Sequence, residues 1–129
     1  TVFKKYLVKG KPGYVSHQWA NLSDAVGWIT GSGGRAVIAH PARYKLGKNV
    51  LDDLLHEFRN LGGEAIEVIT ASHTREQALN FAQHAQRMDF LASCGSDYHG
   101  TGESYFDLGQ LPELPSGCTP VWHDWKVAV

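Results

Sequence analysis

The stretch that decides the fold is Phe90–Gly100, "FLASCGSDYHG". Small and apolar residues run into Gly95, and a carboxylate, Asp97, and an imidazole, His99, follow two positions apart. A short apolar run closed by a glycine turn is the pattern of a buried strand. Polar residues just beyond the carboxyl end of such a strand are where α/β folds gather their functional groups. The same pattern occurs twice more. "RAVIAH" (35–40) runs into Pro41-Ala42-Arg43, and "AIEVIT" (65–70) runs into Ala71-Ser72-His73.

Strands are therefore expected over about 35–40, 65–70 and 89–94, separated by helices. Residues 49–61 place Val50, Leu51, Leu54, Leu55, Phe58 and Leu61 on one stripe. Asn49 reads as the N-cap, with Asp52 and Asp53 in the first turn and Gly62-Gly63 as the stop. Residues 75–87 repeat the theme with Ala78, Leu79, Ala82 and Ala85, and Thr74 to Gln77 fits a capping box. An earlier helix over 22–30 directs Leu22, Ala25, Val26 and Ile29 inward. The order is helix, strand, helix, strand, helix, strand, and the strand spacing is that of βαβ units. The expected fold class is thus α/β with parallel strands. Residues 1–20 read as an irregular lead-in, 21–100 as the β/α units and 101–129 as a loop-rich tail, within one domain.

The 129 residues suffice for one domain with a core. Lys and Arg number 12 against 13 Asp and Glu, so no charge footprint points to non-specific nucleic-acid or membrane binding. No apolar run approaches the length of a membrane span. Cys94 and Cys118 are the two cysteines, too few for a disulfide scaffold, which suits a reducing cytoplasm.

If the strands are parallel, the polar residues after each of them share one rim. Asp97 and His99 suit a Zn, Mn or Fe ion, and equally suit a solvated Asx turn. His40 reads as a ligand or a satisfied strand-end group, and Pro41 is expected to hold it extended. Arg43 carries the forked donors that match a phosphate. His73, at a helix start, reads as a phosphate contact or a surface residue. Glu67, on an otherwise apolar strand, must find partners. It either orients metal ligands or pairs with a cation inside the sheet. His17 and His123 have no supporting context. His56 and His84 read as solvated, Trp19, Trp122 and Trp125 as packing groups, and Cys94 as a buried small residue.

"AVIAHPARY", "GGEAIEV" followed by "SHT", and "LASCGSDYHG", in this order, resemble the carboxyl-terminal half of a PHP (polymerase and histidinol phosphatase) domain. The resemblance spans about residues 2 to 122. It is nearest to bacterial PHP phosphoesterases acting on nucleoside 3′,5′-bisphosphates and, 5′ to 3′, on short RNA. It implies a distorted (β/α)7 TIM-like barrel and up to three divalent metals, Mn, Zn or Fe. It implies metal ligation by His40, Asp97 and His99, with Asp97 and His99 at the catalytic centre. It implies phosphate contacts from Arg43 and His73, and a supporting role for Glu67. Histidinol phosphate and DNA ends are alternative substrates within the family, and a non-catalytic α/β interaction module is the alternative outside it.

The family's first motif, His-x-His followed by an aspartate, does not occur in these residues. Three strands also cannot close a barrel. The chain therefore reads as a partial domain that needs an amino-terminal half for tight metal binding. Alone it is expected to be inactive and prone to self-association through its open sheet edge.

Overall fold

The computed structural model describes residues 2–103 and 105–126. Its centre is a three-stranded parallel sheet, β1 (Val37–Ile38), β2 (Ala65–Thr70) and β3 (Leu91–Gly95), in the order β1-β2-β3. Three helices, α1 (Leu22–Gly31), α2 (Lys48–Asn60) and α3 (Arg75–Arg87), alternate with the strands. The α/β class and the parallel pairing are as expected from the sequence. The lead-in holds a five-residue π-helical segment, Phe3–Leu7, with no buried residue.

β2 is the keystone because it pairs on both sides. Val37 and Ile38 align with Ala65 and Ile66 on one flank, and Ala65 and Ile66 with Leu91 and Ala92 on the other. Both faces of β2 are covered, and Ala65, Ile66 and Val68 are fully buried. This explains why, apart from Glu67, the strand does not alternate apolar and polar residues, since it is buried on both faces. Beyond Ile66 the register slips. Glu67 faces Ser93 and Ile69 faces Cys94, so Val68 is the extra residue on β2. Such a bulge turns the strand end and re-aims its side chains.

The helices form for local reasons and are held by packing. Thr74 caps α3 reciprocally: its side chain accepts from the Gln77 N–H, and the Gln77 side chain accepts from the Thr74 N–H. α2 starts earlier than its sequence suggests. Gly47 is the N-cap instead of Asn49, so Asp52 and Asp53 fall past the first turn. Asp52 instead accepts from Arg87 on α3 at 2.7 Å, which lowers its pKa. Leu55 and Phe58 of α2, Val26 of α1 and Phe81 and Ala82 of α3 close over the sheet. Each large aliphatic side chain buried this way contributes about 1.5–3 kcal/mol.

Several inward assignments do not hold. Ile29, Val50 and Leu79 are exposed, and so are Trp19, Trp122 and Trp125. A helix stripe wider than the sheet beneath it leaves its outer positions uncovered. His84 departs the other way. It is 7% exposed, wedged against Phe81 at a ring separation of 5.8 Å, and takes a hydrogen bond on Nδ1 from Arg87 at 3.0 Å. Arg87 reaches both His84 and Asp52, and His84 Nδ1 lies 3.5 Å from Asp52 Oδ1, so charged side chains stand beside the buried imidazole. β1 covers two residues instead of the expected six, and the chain turns away after it at His40.

The tail is fastened to the sheet's opposite end. Arg35 donates to both carboxylate oxygens of Asp124 and to the Val121 carbonyl, and lies 3.2 Å from Glu64. Ala92 forms an isolated parallel bridge with Pro120.

Two outcomes are expected. A Cβ at Gly63 would lie 2.3 Å from the buried Phe58 ring. Gly63→Ala should therefore lower unfolding stability by about 1–3 kcal/mol in urea titrations. Burial first, and then the Arg87 charge and the more distant Lys48 charge, hold the His84 pKa below its ordinary value, against the opposing pull of Asp52. The unfolded chain then takes up a proton before the folded one, so stability is full above about pH 6.5 and falls on acidification below it. Between pH 7.5 and 5.5 the natural chain should lose more stability than His84→Gln, and equal losses would refute the assignment.

Candidate functional site

The three rim segments do meet. Arg43, from the 3-10 turn Pro41–Tyr44 after β1, Ala71 and Ser72 after β2, and Asp97 and His99 after β3 line one polar depression of about 370 Å³. Glu103 and Tyr105 complete it. Parallel strands make this possible, because every strand delivers its carboxyl end to the same side.

The first segment is held by an unusual backbone. Pro41 was expected to keep His40 extended. Instead His40 adopts the left-handed region, φ 33° and ψ 55°. For a non-glycine residue this costs about 1–2 kcal/mol. Its compensation is visible. The His40 N–H donates to Glu67 Oε2 at 2.6 Å, across the sheet from the middle of β2. The His40 carbonyl accepts from the Arg43 N–H at 3.0 Å, and the Tyr44 hydroxyl donates to the Ala39 carbonyl at 2.7 Å. Glu67 thus finds a backbone donor rather than a cation inside the sheet. Burial pushes its pKa up, the His40 N–H and the His40 charge pull it down, and Asp97 pushes it up again.

Glu67 also explains Gly95. A Cβ there would stand 2.7 Å from Glu67 Oε1. The glycine that ends β3 is the space into which this carboxylate fits. Beyond it Asp97 is left-handed as well, at φ 49°. Its Oδ2 accepts from Arg43 Nη1 at 3.3 Å, and its carbonyl lies 2.6 Å from His99 Nδ1. The expected phosphate contact and an expected metal ligand are therefore paired across the first and third segments.

His73 joins the first segment to the second. Its Nε2 accepts from the Ala42 N–H at 3.3 Å, which fixes the proton on Nδ1, and Nδ1 then donates to the Val68 carbonyl at 3.0 Å. Its ring stacks on Phe81 at 5.2 Å. Burial lowers its pKa, with the Val68 carbonyl opposing, so it stands as a neutral tautomer. Both nitrogens serve backbone groups in this structure. It braces the turn after β1 against the bulge in β2.

His40 Nδ1 is buried and has no hydrogen-bond partner. An imidazole nitrogen in that state suits a metal, and the carboxylate and imidazole of Asp97 and His99 have the right donor chemistry. Among the described residues, however, no group of three His, Cys, Asp or Glu side chains is arranged to hold an ion. The donors are of the right kind and too few in one place. Glu103, Tyr105 and Tyr44 are contributors that the sequence did not disclose. They sit in loops or a short turn, where no periodicity marks the inward side.

No protein-family model matches the chain. It is 50% identical, over all 129 residues, to a 3′,5′-nucleoside bisphosphate phosphatase of Chromobacterium violaceum, of which it covers 45%. It is 39% identical over 125 residues to the 5′-3′ exoribonuclease Rnm of Salmonella typhimurium, covering 97% of this chain and 42% of that one. Among solved structures, an amidohydrolase from Chromobacterium violaceum with bound sulfate and no metal superposes with a TM-score of 0.78. Its identity is 53%, covering 94% of this chain and 42% of that one. A candidate metal-dependent phosphoesterase from Bifidobacterium adolescentis gives a TM-score of 0.64 at 25% identity, covering 85% and 39%. The chain spans less than half the length of these relatives. Together they fit a PHP-type phosphoesterase, as the sequence resemblance implied, and the chain matches its carboxyl-terminal part.

The bond from His40 to Glu67 has a direct test. Glu67→Ala leaves a shielded N–H without its acceptor, at a cost of about 1–3 kcal/mol. Amide exchange at His40 should then quicken by about tenfold or more. Glu67→Gln keeps an acceptor oxygen and should stay near the natural rate. Equal rates in all three would remove Glu67 from this role.

Proposed function

We propose that this chain forms the carboxyl-terminal part of a divalent-metal-dependent phosphoesterase acting on nucleotides or short RNA. The observation that carries the reading is the convergence of Arg43, Ser72, Asp97 and His99 on one polar depression at the carboxyl ends of three parallel strands. The relatives' names, a nucleoside bisphosphate phosphatase and a 5′-3′ exoribonuclease, support the substrate class.

In this reading Arg43 binds a non-bridging phosphate oxygen. Its guanidinium is half exposed and already faces an anion, Asp97, at 3.3 Å. A phosphate oxyanion offers it a second acceptor of the same sign and stronger charge. Asp97, His99 and His40 are the donors to divalent ions, Mn with Zn or Fe as alternatives and up to three in the full-length protein. When bound, such an ion supplies Lewis-acid polarisation of a phosphoryl oxygen. His40 Nδ1 is held ready by the left-handed backbone that Glu67 secures. His73 keeps Arg43's turn in place through the Ala42 N–H, without contacting the ester. Remaining donors come from the part of the relatives' length that this chain does not span.

No helix among the described residues is long and apolar enough to cross a membrane. Two free cysteines suit the cytoplasm as the compartment. The exposed edge of β1 and the exposed tryptophans suit contact with the amino-terminal half, or self-association where that half is missing.

The full-length protein with Mn should hydrolyse a nucleoside 3′,5′-bisphosphate and short 5′-phosphorylated RNA. Arg43→Ala should lower kcat/KM by about a hundredfold. The 129-residue chain alone should show no micromolar Mn affinity and no turnover. Hydrolysis of histidinol phosphate alone, or micromolar Mn binding by the chain that His40→Ala abolishes, would overturn this reading.

A further inference from the structure

A larger cavity, of about 820 Å³, adjoins the polar depression and shares Ala71, Ser72 and Tyr105 with it. That volume lies within the range of about 300–1,000 Å³ usual for small-molecule sites. Its character is different. The α3 side presents Ala78 and Leu79, and the tail presents Phe106 and Pro112, so most of the wall is apolar. The metal and phosphate chemistry of the neighbouring depression makes no use of this space.

Two details show that it suits a flat, partly polar ligand. Tyr105 stands at the boundary between the two spaces and is 84% exposed. It meets Phe106 edge to face at 5.1 Å, so the tyrosine ring is steadied from one side. An exposed aromatic face beside an anion site is a stacking platform. Thr70 is the second detail. It lines the cavity at the end of β2, is 1% exposed, and its hydroxyl has no hydrogen-bond partner. A buried hydroxyl without a partner costs free energy that a polar ligand edge, reached through a small adjustment or a bridging water, would recover.

We infer that this cavity binds the nucleobase of the substrate while Arg43 holds its phosphate. The assignment rests on the phosphoesterase reading and deepens it. The base stacks on Tyr105, Leu79 and Phe106 flank it, and the Thr70 hydroxyl meets its polar edge. The ribose then bridges past Ser72, the side chain common to both spaces. Because stacking accepts any base, the site recognises nucleotides as a class and does not select one base.

Adenosine, which has no phosphate, tests the cavity apart from the reaction. Binding to the full-length protein is measured by equilibrium dialysis without metal, alongside inorganic phosphate. Tyr105→Ala should weaken adenosine by about tenfold, the effect of losing one stack. Leu79 is 49% exposed and lies outside the polar depression, so Leu79→Glu should fold normally and weaken adenosine while sparing phosphate. Arg43→Ala should do the reverse. Thr70→Ser should keep adenosine affinity and Thr70→Val should weaken it.

Adenosine binding that is undetectable, or indifferent to both Tyr105→Ala and Leu79→Glu, would overturn the inference. If those sensitivities appear but no phosphoester is hydrolysed, the base cavity stands and the phosphoesterase reading fails. If nucleotides are hydrolysed with a KM that Leu79→Glu leaves unchanged, the cavity fails and the phosphoesterase reading stands.

Discussion

A carboxylate in the middle of a strand buried on both faces must be answered, and the rest of the rim follows from how it is answered. Glu67 has Ile66 and Val68 beside it and no cation within the sheet. It takes the backbone N–H of His40 at 2.6 Å. That bond, with the Arg43 N–H on the His40 carbonyl and the Tyr44 hydroxyl on the Ala39 carbonyl, holds the left-handed His40 and the turn that carries Arg43. The same side chain needs Gly95 to be bare. One acid therefore fixes the exit of β1 and the end of β3 while belonging to neither.

His73 does for the second segment what Glu67 does for the first. Its two nitrogens join the Ala42 N–H to the carbonyl of Val68, the residue inserted at the β2 bulge. A bulge leaves the ladder locally irregular, and here its carbonyl is answered by a ring that also supports the neighbouring turn. The polar groups of the rim thus form two tiers. Glu67 and His73 hold backbone, and Arg43, Asp97 and His99 face the depression.

The elements were legible in the residues because their causes are local. The β2 limits and the α3 limits with the Thr74 capping box follow from an apolar run and a side-chain cap, and both match. What was not legible depended on distance. Asn49 has the chemistry of an N-cap, yet Gly47 takes the position, and Asp52 is drawn to Arg87 across to α3. His84 looks solvated on a helical projection and is buried, since Asp52 and Arg87 provide the polar company that water would have provided. Pro41 disfavours the right-handed region for His40 but could not reveal that a carboxylate 27 residues away would hold it left-handed. For the site, the rim residues were readable from their place after each strand. The contacts of His73 were not, because they turn on which atom its ring presents to each backbone group.

The bonds that build the rim also decide when it can appear. His40 meets Glu67 across 27 residues, Ala42 meets His73 across 31, and Arg43 meets Asp97 across 54. Each is a large loop to close, and parallel pairing of β1, β2 and β3 must come first. Helices such as α3, with a reciprocal cap of its own, can begin from neighbouring residues alone. The depression thus depends on long-range closures, whereas α3 depends on its neighbours. Any collapsed species that holds helices without the sheet would leave Arg43, Asp97 and His99 scattered along the chain, chemically intact and not gathered into one depression.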